Sequence, residues 1–293
     1  MTGNTELIGF ININKPKGMT SHDVVAQLRR VTKIKQIGHT GTLDPFACGV
    51  LPVAIGKATR IIEYLDDDKE YLAHIQFGKN TTTYDLEGDI TDVFAKKVTE
   101  NDVVEGLRSF EGEISQIPPV YSAIKVNGKK LYEYARQGQE VEIKSRKVFI
   151  SKIKLEDFDY DTQVAKVRIA CSKGTYIRSI AYDLGKNLDC GGYLTALERT
   201  KAGNFLIENS VKLADLTDLN CVSENLTNPL EVLDYPIYDL TEIEKERVSH
   251  GNSIQNKCYK TSDIVIFVYS GKIYAIGMAN KDKLLVKKVF EVL

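Results

Sequence analysis

The stretch Gly38-His39-Thr40-Gly41-Thr42-Leu43-Asp44-Pro45 sets one carboxylate among glycines, small hydroxyls and a proline. Gly38 and Gly41 supply backbone freedom where a side chain would block the close approach of a ligand. Pro45 disfavours helical geometry at Asp44, so the carboxylate projects from an extended bend. The residues that follow, Phe46 to Gly56, are mostly small and apolar. A carboxylate against such a wall is a candidate for chemistry. Asp-Pro also commonly opens a turn, and these eight residues alone leave both readings standing.

Working outward, Gly9 to Asn14 alternates apolar and polar residues and predicts a strand. Thr20 or Ser21 then caps a helix with Asp23 in its first turn and Val24, Leu28 and Val31 on one face. Lys15, in the break between them, either steadies the loop by ion pairing or meets a phosphate. On the other side, Thr59 begins a short helix over Arg60 to Leu65, and Lys69 to Phe77 reads as a strand with Tyr71, Ala73, Ile75 and Phe77 on one face. Asp85 falls in a polar stretch and reads as a loop aspartate. Thr99 and Asp102 open a further helix that buries Val103, Val104, Leu107 and Phe110. Val164 to Cys171 is a strand, after which Thr175 caps a helix with Ile177, Ile180, Leu184 and Leu188 inward. Arg178 sits in that helix's first turn, where the dipole disfavours a cation by several tenths of a kcal/mol. A facing carboxylate or phosphate would relieve the conflict, though an exposed arginine could tolerate it. Residues 210–235 read as helix and linker. Ile264 to Tyr269 and Lys272 to Met278 form a hairpin across Ser270-Gly271, with a third strand over Leu284 to Val292.

Composition narrows the function classes. The chain has 293 residues, 27% charged and 43% hydrophobic, which is ordinary for a folded protein long enough for one large and one small domain. No run approaches a transmembrane helix, and the first ten residues lack the regions of a signal peptide. Five cysteines lie far apart without a CxxC pair, so neither a zinc site nor a disulfide framework is indicated, and a reduced, cytoplasmic setting is expected. His22, His74 and His250 show no ligand spacing. The net charge of −1 argues against a general nucleic-acid binder. A specific RNA enzyme needs only a local basic surface. Residues 121–147 supply one, with seven lysines and arginines against three glutamates and tyrosines between them. Cations can meet phosphates there and rings can meet splayed bases. An ordinary basic surface hairpin followed by the turn LYEYAR is the plainer reading.

The motif GHTGTLDP, together with NKPKGMTS (Asn14 to Ser21), KEY (Lys69 to Tyr71), QIPPVYSAIKVNGKKLYEYARQG (Gln116 to Gly138) and CSKGTYIRSIAYDLG (Cys171 to Gly185), resembles the TruB family of tRNA pseudouridine synthases. The matches occur in family order and cover most of residues 8–205. The resemblance implies an α+β pseudouridine synthase fold, a mixed sheet with helices flanking a central cleft. It also implies a small, β-barrel-like C-terminal domain of PUA type. Domains would span 1–235 and 236–293, with an RNA-gripping thumb at about 118–147. The implied reaction isomerises uridine-55, in the tRNA T-loop, with no cofactor, metal or energy source. Asp44 would be the catalytic carboxylate, Arg178 its neighbour and Asp85 the partner of that arginine. Tyr71 would lie against the base, Tyr176 would bond near it and Leu197 would line the pocket. His39 would fill the space left by the flipped nucleotide or stack on a rearranged base, although a lone histidine is more often a structural hydrogen-bonder. Lys15, Lys125, Lys129, Lys130, Arg136 and Arg146 are expected to meet RNA. The expected partner is the T-arm of tRNA, bound by a monomer away from any membrane.

Three rivals remain, the first a relative within the same family. A guide-RNA-dependent relative would need further proteins, whereas the well-matched thumb and the absence of basic tails favour an enzyme that works alone. A non-catalytic RNA-binding protein would not need Asp44, Arg178 and Tyr71 together. A carboxylate hydrolase would need a second acid/base group at a set distance, and an arginine beside Asp44 suits it poorly.

Overall fold

The computed structural model of the chain describes residues 7–290 apart from 123, 127 and 140, and the side chains at 125, 130, 132, 135 and 136 lie outside that description. The first strand, β1 (Gly9–Lys15), is followed by helix α1 (Ser21–Thr32). Thr20 caps α1 reciprocally: its hydroxyl accepts from the Asp23 amide at 3.1 Å, and the Asp23 carboxylate accepts from the Thr20 amide at 2.9 Å. Lys33 ends the helix in the left-handed region, at φ 60°. Val24, Val25 and Leu28 bury against Ile11, Ile13, Leu51 and Val53. The alternation in GFININ predicts one wet face, yet both faces of β1 are buried. Ile11 and Ile13 meet α1, while Phe10 meets the C-terminal sheet. Asn12 is tolerated between them because its amide donates to the Leu206 carbonyl at 2.7 Å.

Strands β2 (Ile37–His39) and β3 (Cys48–Ile55) pair antiparallel and bracket the Asp44 loop. The helix expected from Thr59 is instead two 3-10 turns, Gly56–Arg60 and Ile62–Tyr64, entered through Gly56 at φ 63°. Next come β4 (Lys69–Phe77), a ribbon of β5 (Lys79–Thr81) and β6 (Ile90–Val93), and α2 (Glu100–Arg108), capped by Thr99 and Asp102 as expected. After β7 (Gly112–Gln116), the thumb segment forms a two-stranded ribbon, β8 (Lys125–Val126) with β9 (Lys129–Lys130), and the short α3 (Leu131–Arg136). Then follow β10 (Arg146–Asp159), β11 (Val164–Cys171), α4 (Ile177–Asn187), β12 (Gly192–Ala202), β13 (Phe205–Leu206) and β14 (Val211–Lys212).

Ten of these strands make one mixed sheet in the order β14-β1-β3-β12-β4-β11-β10-β7, with β13 on β12 and β2 on β3. β3 and β12 run parallel, so the end of the Asp44 loop lies beside Glu198 and Arg199. β4 alternates as its sequence predicts, burying Tyr71, Ala73, Ile75 and Phe77 with α2 and α4 against them. Gly185 lets α4 touch the sheet: a Cβ there would lie 2.2 Å from backbone atoms of Gly191 and Gly192.

Two short helices, α5 (Leu219–Glu224) and α6 (Pro229–Val232), lead to a curled second sheet. It comprises β15 (Ile237–Asp239), β16 (Ile254–Gln255), β17 (Ile264–Tyr269), β18 (Lys272–Ala279) and β19 (Lys283–Val289), with α7 (Glu242–Ser249) alongside. Ser270 and Gly271 form the expected tight turn, both at positive φ. The third strand ends earlier than expected, and Val292 lies outside the described residues. Ile266, Val268, Ile273, Ile276 and Phe290 share an apolar cluster with Phe10, Val50 and Ala54, so the two sheets are joined by a dry contact.

The packing of α4 can be tested with two glycines inside helices. The nearest atoms to a Cβ at Gly106 belong to the Leu184 and Leu188 side chains, which can shift, whereas at Gly185 they belong to backbone. Both alanine variants gain similar helix propensity, roughly 1 kcal/mol. Gly185→Ala is nonetheless expected to lose about 1–3 kcal/mol through overpacking, while Gly106→Ala stays near neutral. Urea unfolding reads the difference, and equal midpoints would refute it.

Candidate active site

The Asp44 loop is clamped from below before any substrate arrives. The Ser21 hydroxyl, at the start of α1, accepts from the Leu43 amide at 2.8 Å and donates to its carbonyl at 3.2 Å. The Pro45 carbonyl accepts from Gly18 N at 2.8 Å and from Lys15 Nζ at 3.5 Å. Lys15 also donates to the carbonyls of Met19 at 2.7 Å and Pro16 at 2.9 Å. Its side chain is fully buried, so the expectation that it meets RNA is corrected: Lys15 ties the two loops together. Burial pushes its pKa down to about 8.

Arg178 enters from the second position of α4. That helix start is pinned by Gln116, whose side chain accepts from Tyr176 N at 2.7 Å and donates to Tyr176 O at 3.0 Å. Thr175 does not cap the helix as expected. Tyr176 occupies the cap position without a side-chain bond, and Thr175 turns back to the Ser172 carbonyl. The Arg178 guanidinium is 6% exposed. Its Nε lies 3.0 Å from Asp44 Oδ2, an ion pair in which the N–H points off the oxygen. Nη1 reaches Asp85 Oδ2 at 3.2 Å and the Thr83 carbonyl at 3.2 Å, and Nη2 donates to the Tyr121 carbonyl at 3.0 Å. Asp85 is buried and held in turn by the Thr83 hydroxyl at 2.5 Å and the Glu87 amide at 3.0 Å. Just before it, Tyr84 sits at φ 62° with its ring stacked on Tyr182, 4.1 Å between centroids. The carboxylate expected to relieve Arg178 is present twice over.

Asp44 is the outward member of this triad, with 34% of its side chain exposed against 3% for Asp85. Burial raises its pKa above the ordinary carboxylate value, Arg178 opposes the rise and Asp85 adds to it. The carboxylate opens into a cleft of about 610 Å³. Tyr71, Tyr176, Arg178 and Leu197 all line it, as expected from the sequence. Tyr71 and Leu197 come from neighbouring strands, β4 and β12, and are 8% and 6% exposed. His39 stands on β2 immediately before the lining residue Thr40; it is half-buried and its Nδ1 has no partner among the described residues. Burial and the charge of Arg199 lower its pKa, favouring the neutral ring.

Sequence reasoning missed Arg199, the largest fully buried side chain of the fold. Its guanidinium donates to the carbonyls of Val50 at 2.6 Å, Thr42 at 3.4 Å and Gly41 at 3.2 Å, tying β12 to the Asp44 loop. Lys69 was missed as a cleft residue too, although the KEY motif contains it. An arginine among alternating strand residues was the available signal for Arg199, but only the parallel pairing of β3 and β12 gives it carbonyls to hold.

In the segment expected to form a thumb, the Lys129 ammonium lies 4.4 Å from the Tyr134 ring centroid and bonds Gln137. Arg146 is exposed at the start of β10, opposite Gln116. The side chains of Lys125, Lys130 and Arg136 lie outside the described residues.

Residues 29–177 match the family described as TruB family pseudouridylate synthase (N terminal domain), and residues 178–238 match the tRNA pseudouridylate synthase B C-terminal domain. The tRNA pseudouridine synthase B of Carboxydothermus hydrogenoformans is 46% identical over 96% of this chain and 98% of its own length. That of Clostridium kluyveri is 41% identical over 94% and 96%. Among solved structures, a Cbf5-Nop10-Gar1 complex contains a chain with a TM-score of 0.73 and 27% identity, matching 96% of this chain and 84% of that one. An H/ACA RNP bound to a substrate RNA containing 2'-deoxyuridine gives a TM-score of 0.72 at 25% identity, with the same coverage.

The raised pKa of Asp44 has a sign that stability measurements can read. A carboxyl whose folded pKa exceeds its unfolded one stabilises fully below the unfolded value, and that contribution is lost as pH rises through the folded value. The melting temperature of Asp44→Asn relative to the native protein is therefore expected to be more favourable at pH 7 than near pH 4. Thermal unfolding of both proteins across that range tests it, and a difference that turns less favourable to the variant as pH rises would refute the raised value.

Proposed function

Because the chain belongs to the TruB family of tRNA pseudouridine synthases, isomerases that act on tRNA, we propose that its target is uridine-55 in the T-loop, with Asp44 as the reacting group. The supporting observation is the Asp44–Arg178–Asp85 array, which leaves one carboxylate facing a nucleotide-sized cleft.

The reaction breaks the N1–C1′ bond, turns the uracil and joins C5 to C1′, while the proton leaving C5 is balanced by one gained at N1. Asp44 acts either as a nucleophile toward C1′ or as a base toward the C2′ proton, and both roles need the ionised form. Arg178 keeps that form accessible against the burial that opposes it. Asp85 fixes the arginine rather than the substrate. A T-loop uridine must leave its stack first, at a cost of a few kcal/mol. Tyr71 then offers the extruded base a ring and Leu197 an apolar wall, while Tyr176 bonds at its edge. His39, neutral and half-buried beside the mouth, takes up space released in the loop. The thumb, at about 118–147, grips the T-arm through Lys125, Lys129, Lys130, Arg136 and Arg146, and the segment from 236 onward contacts the rest of the tRNA as a PUA-like domain. Catalysis needs no added metal or cofactor. The enzyme works as a cytoplasmic monomer without a guide RNA, a reading supported by the near full-length likeness to proteins named tRNA pseudouridine synthase B.

The test is pseudouridine mapping in a T-arm minihelix and in whole tRNA after incubation with the purified single chain. Conversion at uridine-55 is expected with the native protein. Asp44→Asn should abolish it under single-turnover conditions while leaving tRNA affinity within about tenfold, since phosphate contacts carry most of the binding. Conversion by the variant would remove Asp44 from the chemistry, and modification elsewhere would overturn the site assignment.

A further inference from the structure

The rim of the cleft opposite Asp44 holds an arrangement that the reaction does not use. Lys69, at the start of β4, is almost enclosed, with 13% of its side chain exposed. Its ammonium donates to the Asp67 carbonyl at 2.6 Å and lies 4.0 Å from the carboxylate of the same residue. Lys173, on the loop between β11 and α4, reaches Asp67 from the other wall, at 2.5 Å from Oδ2. All three residues line the cleft that contains Asp44 and Tyr71. One carboxylate thus bridges two lysines from separate segments across the mouth of a site meant for a polyanion.

The charge balance makes this more than a surface ion pair. Arg199 lies behind Lys69, and among the described residues no carboxylate comes within ion-pair distance of it. Burial and the positive charge of Arg199 together lower the pKa of Lys69, with Asp67 working against them. Among the described residues, Asp67 is thus the one carboxylate within ion-pair distance of Lys69 and Lys173, with Asp66 acting on Lys69 from farther off. Lys173 is 73% exposed and Asp67 44%, so their contact can open without disturbing the core.

We propose that Lys69 and Lys173 form a binding site for an RNA backbone phosphate next to the flipped nucleotide, and that the Asp67 carboxylate occupies this site in the free protein until the phosphate displaces it. The assignment rests on the RNA reading given above. A carboxylate presents two acceptor oxygens and one negative charge to two ammonium groups much as a backbone phosphate does, and the phosphate arrives on an RNA whose other contacts favour the exchange. Lys173 changes partners when RNA enters, whereas Lys69 stays in place.

The experiment is a double-mutant cycle on tRNA affinity over several salt concentrations, using Lys173→Gln, Asp67→Asn and the pair in the full-length chain. Lys173→Gln is expected to weaken binding and to lower the magnitude of the log–log salt slope by somewhat under one, by analogy with counterion release from nucleic acids. Asp67→Asn is expected to tighten binding about two- to fivefold, the range set by freeing an exposed ion pair. In the Lys173→Gln background that gain should largely vanish. A gain of the same size in both backgrounds means that Asp67 merely repels RNA, which overturns the displacement. Unchanged affinity and slope for Lys173→Gln overturn the phosphate site. Pseudouridine mapping with the native protein in parallel separates the causes: if uridine-55 is converted, either result sinks only the phosphate site, and if it is not, the RNA reading itself fails.

Discussion

Arg178 carries a full charge at a position from which water is nearly excluded, and a charge there is tolerable only while its partners stay in place. Asp85 is the fixed partner and Asp44 the exposed one. The carbonyls of Thr83 and Tyr121 take most of the remaining donors. Each partner comes from a different segment: the β2–β3 loop, the turn before β6 and the base of the thumb. Breaking any of them would leave charge buried without compensation. The guanidinium therefore joins three excursions of the chain at one point, and the sheet beneath supplies the rigidity that keeps them in register.

Two other buried cations are treated differently. Lys15 and Arg199 are held by backbone carbonyls alone, three for each among the bonds described. Carbonyl oxygens compensate the lost hydration of a cation but do not cancel its charge. Both side chains end on the Asp44 loop or the strand it enters, so the loop is positioned by bonds that leave positive potential behind. This explains how a conformation rich in glycine and threonine can present a carboxylate in one place. The freedom that the glycines introduce is removed by long side chains from β1 and β12.

Much of this was legible in the chain. The capping pairs Thr20/Asp23 and Thr99/Asp102 mark helix starts because the signal is local, three residues wide. β4 shows its buried face because only one side of it is covered. The dipole conflict at Arg178 pointed to a missing anion, and family likeness named Asp44 and Asp85. Failures came where distance in sequence decided the outcome. Lys15 could be read as solvent-facing because the carbonyl of Pro45 lies thirty residues on. Arg199 carried no local mark, since its acceptors belong to residues about 150 positions earlier. β1 looked half-exposed because the sheet that covers Phe10 is built at the far end of the chain.

The carbonyl-held cations have a consequence for how the molecule meets its substrate. The whole chain carries a net charge of −1, so at long range it offers a polyanion no overall attraction. Four cations, Lys69, Lys173, Arg178 and Arg199, nevertheless line one cleft against two carboxylates, Asp44 and Asp67, and the acids that balance the excess lie farther away. Such a molecule is electrically lopsided. Approaching RNA would exert a torque on it as well as a force, turning the opening inward before contact and turning other faces away. Discrimination against wrong orientations is then built into the interior wiring of the Asp44 loop, where substitutions on the outer surface would hardly alter it.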